Sequence, residues 1–510
     1  MAKKSTTDTC CLTLPLILEK WQMDRLEKRF EIARQIFNTL VNYELKKLDK
    51  LKQTDEYKAV IDALQALEEQ KDPGKEKKAL FRQLDTLRQN AGFSEYGFKS
   101  DIQPFYKHFK DNIGSSVAVH GIAPQVWQAF DRVFHGNGKK VHFKKRGEVR
   151  SLRGYSDSKK SGGLEIIYRG NYIEWKGLKL KIKLDENNEY ETAMLANRIK
   201  YCRIVKKGGK NKTRWYVQLM LECKPYVKKD RQSGEIRHPV GQGPVGIDIG
   251  PQTIAYAANG EVKLLELADK VQNIEREKRL LQRKLDRSRR ATNPDNFNPD
   301  GTIRRGVKLT WRKSNRYLAI QKELSYLQQK QAEIRKRQHN ELANHLLSLG
   351  DSFFVEDMSW PSLTHRAKET EISEKTGRYK RKKRFGKSVA NKAPAMLIEM
   401  LNQKLLSRNR EGVVKVPTSV KASQYNHITN DYQKKSLNQR WNTMPDGKRI
   451  QRDLYSAYLL QHMNAALDGF DLPSLQRDYK IFEQLHEKEI ERLRLSPKTV
   501  ASMGIVRTVR

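Results

Sequence analysis

Residues 245–250 read Val-Gly-Ile-Asp-Ile-Gly, an apolar run interrupted by one carboxylate, and the fold turns on how Asp248 is read. A charged group between Ile247 and Ile249 loses hydration unless a cation or a hydrogen-bond donor meets it. Two explanations are open: an aspartate at a strand end that accepts turn hydrogen bonds, or a metal ligand. Residues 253–258 and 262–267 form two more short apolar runs, set off by Gly250-Pro251 and Asn259-Gly260. The three together predict an antiparallel meander.

Downstream, apolar residues recur at helical spacing over 269–289 and 311–349, on either side of a Pro- and Asn-rich loop at 293–301. Val271, Ile274, Leu281 and Leu285 on one segment and Leu324, Leu327 and Ile334 on the other predict a packed hairpin. A buried strand at 352–356, a helix at 388–408, a strand at 412–416 and a helix at 453–467 follow. Meander, helix, strand, helix, strand, helix is the order of a ribonuclease H-like α/β fold.

Two further carboxylates sit at matching places. Glu356 closes the run Phe353-Phe354-Val355, with Asp357 beside it, and alternation lets only one of the two share a face with Asp248. Asp453 opens the last helix, where a cap is the alternative to a ligand. Asp248, Glu356 and Asp453 on two strands and a helix start supply hard oxygen donors for a pair of divalent ions. Two Mg2+ ions, with Mn2+ as a substitute, about 4 Å apart would activate water and stabilise the departing oxygen of a phosphodiester.

The chain has 510 residues, with 100 Lys plus Arg against 60 Asp plus Glu, a balance of 100 − 60 = +40. That length predicts more than one domain, and the charge predicts nucleic acid as partner. No run is long and apolar enough to span a membrane. Residues 10–18 imitate a signal peptide, yet Glu19 and Lys20 occupy the place of a cleavage site, so a buried strand and a prokaryotic cytoplasmic protein are expected. The four cysteines, at 10, 11, 202 and 223, suit neither a disulfide framework nor a zinc cluster.

Upstream of the meander, residues 21–87 have helical periodicity and 94–134 are mainly helical, punctuated by Pro104 and Pro124. Short alternating runs at 164–168, 172–175, 178–184 and 215–221 predict an antiparallel β domain.

GIDIGPQTIAYAANG (246–260), FFVEDMSW (353–360) and QRDLYSAYLL (451–460) resemble the three RuvC motifs of TnpB proteins, transposon-encoded relatives of type V CRISPR effectors. FGKSVANKAPAMLIEMLNQK (385–404) is similar to the stretch between the second and third motifs. VHFKKRGEVRSL (141–152) and GNYIEWKGLKLKIKL (170–184) resemble that family's wedge domain. The resemblance implies a multidomain α+β chain. It would have a strand of the wedge domain at 1–20, a helical recognition lobe at 21–135, a β-barrel wedge domain at 136–240, a RuvC nuclease domain at 241–470 and a tail at 471–510. It implies a monomeric RNA-guided DNA endonuclease with guide RNA and target DNA as partners, and Asp248, Glu356 and Asp453 as its triad. The family carries a zinc ribbon before the third motif, but residues 418–451 contain no cysteine, so no zinc is expected there. Tyr455 stands where the family often has Asn.

Dense basic runs include Lys144-Lys145-Arg146 and, within 378–384, Lys380-Arg381-Lys382. They are candidate phosphate contacts, although a charge run is ordinarily a solvated face. A transposase or integrase of the same fold, or a non-catalytic RNA-guided DNA-binding protein, are the alternatives.

Overall fold

The computed structural model describes residues 8–68, 74–156, 164–208, 213–230, 232–365, 371–372, 377, 385–436, 438–506 and 508. The chain divides into two compact units, Met1–Tyr226 and Val227–Arg510.

The first unit combines helices with one antiparallel sheet of seven strands: β1 (Cys10–Ile17), β2 (Ser151–Tyr155), β3 (Ile166–Tyr168), β4 (Tyr172–Trp175), β5 (Leu178–Ile182), β6 (Ile199–Gly208) and β7 (Thr213–Leu221). Their order is β2-β6-β7-β1-β5-β4-β3. The edge strands approach each other, since the Glu165 amide donates to the Tyr155 carbonyl at 3.1 Å, and the sheet is nearly a closed barrel. In β5, Leu178, Leu180 and Ile182 point inward while Lys179 and Lys181 face water, the period-two alternation of a half-buried strand. β1 is central, between β7 and β5, so residues 10–17 are a barrel strand. Residues 136–150 contain no strand, and the β region starts at Ser151.

The helix Lys20–Gln53 buries Leu26, Phe30, Ala33, Ile36, Phe37, Leu40 and Val41 along one stripe, as its 3.6-residue period requires. Those side chains share one apolar core with the barrel's Leu12, Leu14, Trp175 and Val217. Arg29 pins the two together, donating to the carbonyls of Trp175 at 2.6 Å and Lys176 at 2.9 Å. Helix Lys20–Gln53 and the barrel therefore share one core, while Tyr57, Val60 and Leu84 form a small separate cluster.

The second unit is built on a five-stranded sheet: β8 (Pro244–Ile249), β9 (Thr253–Ala258), β10 (Glu261–Glu266), β11 (Ser352–Glu356) and β12 (Val414–Val416). The order is β10-β9-β8-β11-β12. β10, β9 and β8 pair antiparallel; β11 is parallel to both β8 and β12. Val245, Ile247, Ile249, Phe353 and Val355 pack on one side against helix Asn315–Leu349, through Ala343, Leu346 and Leu347, and against helix Pro394–Leu406, through Leu397, Leu401 and Leu405. On the other side, Ala255, Ala257, Val262 and Leu264 lie in a core with helix Arg452–Gln461 and helix Leu472–Leu495.

Several expected elements differ in extent. The helix expected at 388–408 is broken into Gly386–Lys392 and Pro394–Leu406, because Ala393 takes a left-handed conformation, φ 47°, at the residue Pro394 keeps out of the helical region. The last helix expected to reach 467 stops at Gln461, and within the expected tail residues 472–495 form a 24-residue helix. Its Leu475, Phe482, Ile490 and Leu493 are buried. Helices Gln272–Thr292 and Asn315–Leu349 pair along Ile274, Leu281 and Leu327, joined by Leu324 and Ile334, close to the heptad expectation. No helix among the described residues is long and apolar enough to cross a membrane.

Candidate active site

β8 sends Val245, Ile247 and Ile249 to one face, so Gly246 and Asp248 fall on the other. A β-carbon on Gly246 would stand 2.0 Å from the Ala457 carbonyl oxygen and 2.3 Å from the Gln461 amide nitrogen. Only glycine lets helix Arg452–Gln461 lie directly on the strand there. One turn back from Ala457 on that helix is Asp453.

β11 runs parallel to β8 with Val355 beside Ile247. One residue further along both strands, Glu356 is level with Asp248 and on its face. Asp357 is turned to solvent, where its carboxylate meets Lys415 at 3.1 Å. The ambiguity between the two neighbouring acids is thus resolved by strand parity.

Asp453 is buried in the first helical turn but does not cap it. The Gln451 side chain does, accepting the Leu454 amide at 2.8 Å. The Asp453 carboxylate is held by Arg452, whose Nε and Nη2 donate to Oδ1 at 3.2 and 3.1 Å, while Arg440 Nη1 lies 3.7 Å from Oδ2.

The charges of Asp453 and Glu356 act on Asp248. Asp248 is pushed well above the usual aspartate range, first by burial, then by the negative charges of Asp453 and Glu356; Arg452 and the Ser456 hydroxyl pull the other way. Glu356 is raised by burial. The Ser456 hydroxyl itself donates to the Arg452 carbonyl at 3.0 Å. Neither Asp248 nor Glu356 has an ion-pair partner among the described residues. As the side chains stand, no group of three or more His, Cys, Asp and Glu among the described residues is arranged to hold a metal ion; Asp453 is satisfied by guanidinium groups.

Residues 418–451 carry two small hairpins, β13 (Tyr425–Asn426) with β14 (Asp431–Tyr432), and β15 (Trp441–Thr443) with β16 (Arg449–Gln451). They are organised by apolar packing of Val420, Ala422, Tyr425, Met444 and Ile450 and by Tyr425 stacked on Phe470 at 4.7 Å. The Tyr455 hydroxyl accepts the His427 amide at 3.1 Å and lies 2.7 Å from His427 Nδ1, which ties the insert to the helix that bears Asp453.

The basic candidates separate. Lys145 and Arg146 are exposed. Lys144 turns inward, its Nζ 3.8 Å from the centre of the Phe37 ring and 3.0 Å from Gln125 Oε1, so its ammonium has neighbours within the fold. Lys380, Arg381 and Lys382 lie outside the described residues. Sequence reasoning passed over Gly246, Gln451, Arg440, Arg452 and Ser456. Of these, Gly246 carried a signal, two residues from Asp248 and therefore on its face, as did Ser456, three residues after Asp453 and therefore on its side of the helix.

No protein-family model matches the chain, and no curated protein matches it. Among solved structures the chain is similar to a cryo-EM structure of a Cas12f1 complex with sgRNA and target DNA. The TM-score is 0.40 and the identity 12%, over 90% of this chain and 99% of that one. It is also similar to a CRISPR-Cas12f ternary complex, at TM-score 0.27 and 11% identity over 86% of this chain and 82% of that one. At TM-scores of this size the likeness says nothing of this chain's chemistry.

Proposed function

We propose that the chain is an RNA-guided DNA endonuclease of the TnpB type, with a RuvC-like domain in its second unit and the barrel of the first as a wedge domain. The observation that carries the catalytic part is Asp248, a carboxyl raised by burial and by two other carboxylates, Asp453 at a helix start and Glu356 at the end of the neighbouring parallel strand. The sheet order, with an antiparallel meander followed by two parallel strands, supports a ribonuclease H-like reading. Guidance by RNA is supported by the three RuvC-like motifs and by the +40 balance.

Like charges gathered in a desolvated place raise the affinity for any cation. The donors are carboxylate oxygens, the ligand type of Mg2+, and Asp248, Glu356 and Asp453 would hold it once Asp453 leaves its guanidinium partners. When bound, the metal would supply Lewis acidity and an activated water for phosphodiester hydrolysis. The chain's own part is to draw the carboxylates partly out of water, with Asp453 buried, to fix Glu356 beside Asp248 through the β8–β11 register, and to offer Arg440 and Arg452 for phosphate contact.

The test is to purify the protein with RNA transcribed from its flanking DNA, sequence the bound RNA, and challenge plasmids bearing a matched target and a randomised adjacent motif. Guide-dependent, Mg2+-dependent cleavage is expected. Asp248→Asn, Glu356→Gln and Asp453→Asn should each retain RNA and lose cleavage by at least about a hundredfold, the scale of losing a group that acts on the transition state. Mn2+ titration followed by electron paramagnetic resonance should show binding in the wild type and weakened binding in each variant. Cleavage that ignores the guide, or three fully active variants, overturns the reading.

A further inference from the structure

Helices Gln272–Thr292 and Asn315–Leu349 join through an apex over residues 283–316 that carries eleven Lys and Arg against three Asp, 11 − 3 = +8. The apex is constructed rather than slack. Asn293, buried, donates through Nδ2 to the carbonyls of Arg289 at 2.9 Å and Arg312 at 3.0 Å and accepts the Arg312 amide at 2.7 Å. Asn296, also buried, donates to the Thr310 carbonyl at 2.7 Å, and Phe297 bridges to Ile303. Two of the three acids are taken up locally: Asp286 by Arg289 and Arg290, both at 2.7 Å, and Asp300 by Thr302 at 2.7 Å. Arg283, Arg287, Arg304, Arg305, Lys308 and Arg316 are exposed, and none has an acidic partner among the described residues. Holding so many uncompensated cations on one ordered knob costs self-repulsion that a polyanion would relieve.

Charge alone suits any nucleic acid. Trp311 narrows the choice. It is 39% exposed, braced edge-on against Phe297 at 5.6 Å and by the Arg289 guanidinium at 5.3 Å from its ring. A braced, exposed indole amid arginines is suited to stack on an unpaired base. Duplex DNA hides its base faces, whereas structured RNA presents them in loops, bulges and ends. We infer that the apex at 283–316 is a docking knob for structured RNA, in which the arginines hold the phosphates beside an unpaired base stacked on Trp311. This inference rests on the RNA-guided reading above and adds where on the second unit the RNA is held.

The test uses the intact chain, a labelled RNA hairpin with an unpaired loop, and a DNA duplex of equal length. The triple variant Arg304→Gln, Arg305→Gln, Lys308→Gln should lower the steepness of log affinity against log salt for the RNA by about two, at roughly 0.7 to 0.9 per phosphate contact. Trp311→Ala should weaken the hairpin about tenfold with the salt slope kept, leave the DNA duplex unaffected, and be largely rescued by Trp311→Phe. Circular dichroism and melting establish that the variants are folded; should Trp311→Ala not fold, the triple variant decides. RNA binding unchanged in the triple variant, or equal losses for RNA and duplex DNA on Trp311→Ala, overturns the inference. If unchanged variant binding accompanies guide-dependent cleavage by the wild type, only the apex assignment falls. A wild type that binds no RNA sinks both.

Discussion

Gly246→Ala adds one methyl group at the point where helix Arg452–Gln461 rests on β8. Its carbon would begin 2.0 Å from the Ala457 carbonyl oxygen, where real contacts essentially never fall below 3.0 Å, and both close neighbours are helix backbone that cannot swing aside. Helix and strand must therefore separate by at least 3.0 − 2.0 = 1.0 Å. All residues from Asp453 to Gln461 are buried, so a gap of that size weakens contacts along the whole helix. Overpacking of this kind costs about 3 kcal/mol, a fall in melting temperature of about 6 to 12 °C in a unit of this size. Asp453 moves with the helix, and a displacement of about 1 Å can cost about a hundredfold in rate. The measurement is a thermal melt together with guided plasmid cleavage well below the variant's melting point. Gly260→Ala is the control: its φ is +82° but nothing lies within 4 Å of the added carbon, so it should lose some stability and leave cleavage per folded molecule unaltered. A Gly246→Ala protein that melts within about 2 °C of wild type and cuts normally would refute the reasoning that this contact positions Asp453.

Three other predictions concern stability against pH and the insert. Burial pushes His427 and His486 each down to about 4, so between there and the ordinary value near 6.5 the unfolded chain holds protons the folded one refuses. The second unit should lose stability as pH falls from about 6.5 to 4, by up to about 3 kcal/mol per histidine. Melting at pH 7 and 4.5 checks this, and His427→Gln should flatten the dependence by about half. Glu44 has the opposite sign. It is fully buried 2.9 Å from Lys47, and burial pushes it up to about 8. The first unit should lose stability as pH rises from about 4.5 to 8, and Glu44→Gln should gain a few kcal/mol at pH 8; a melt that is flat in pH over that window contradicts it. Tyr455→Phe removes the hydroxyl that meets His427, and should cost about 1 to 2 kcal/mol and raise proteolytic nicking within 418–451 under limited digestion.

Much of the second unit was legible because alternation and helical spacing report directly on which side chains face a core. The meander, the two later strands and the paired long helices all follow from apolar spacing near Asp248. What stayed hidden needed the third dimension. Asp453 reads as the cap in sequence, and only the direction of the chain into the helix hands that role to Gln451. Lys144 and Lys145 are chemically alike, yet one lies on the Phe37 ring and the other in water, which a local charge run does not reveal. Residues 472–495 have a helical pattern, but their importance comes from Phe482 stacking on Tyr458 at 4.3 Å, a contact made with a helix earlier in the chain. Alternation alone left Glu356 and Asp357 open, and the register of β11 on β8 puts Glu356 level with Asp248.

That late helix also has a genetic consequence. A stop codon after Gln461 would leave all three candidate catalytic carboxylates in the product, yet Tyr455, Tyr458 and Leu459 would lose Leu475, Phe482 and Ile490 from the core they share. The Tyr458 hydroxyl would also lose the Leu475 carbonyl it meets at 2.5 Å. Such an allele should behave as a null despite an intact catalytic set, and minimised versions of the protein should be trimmed elsewhere.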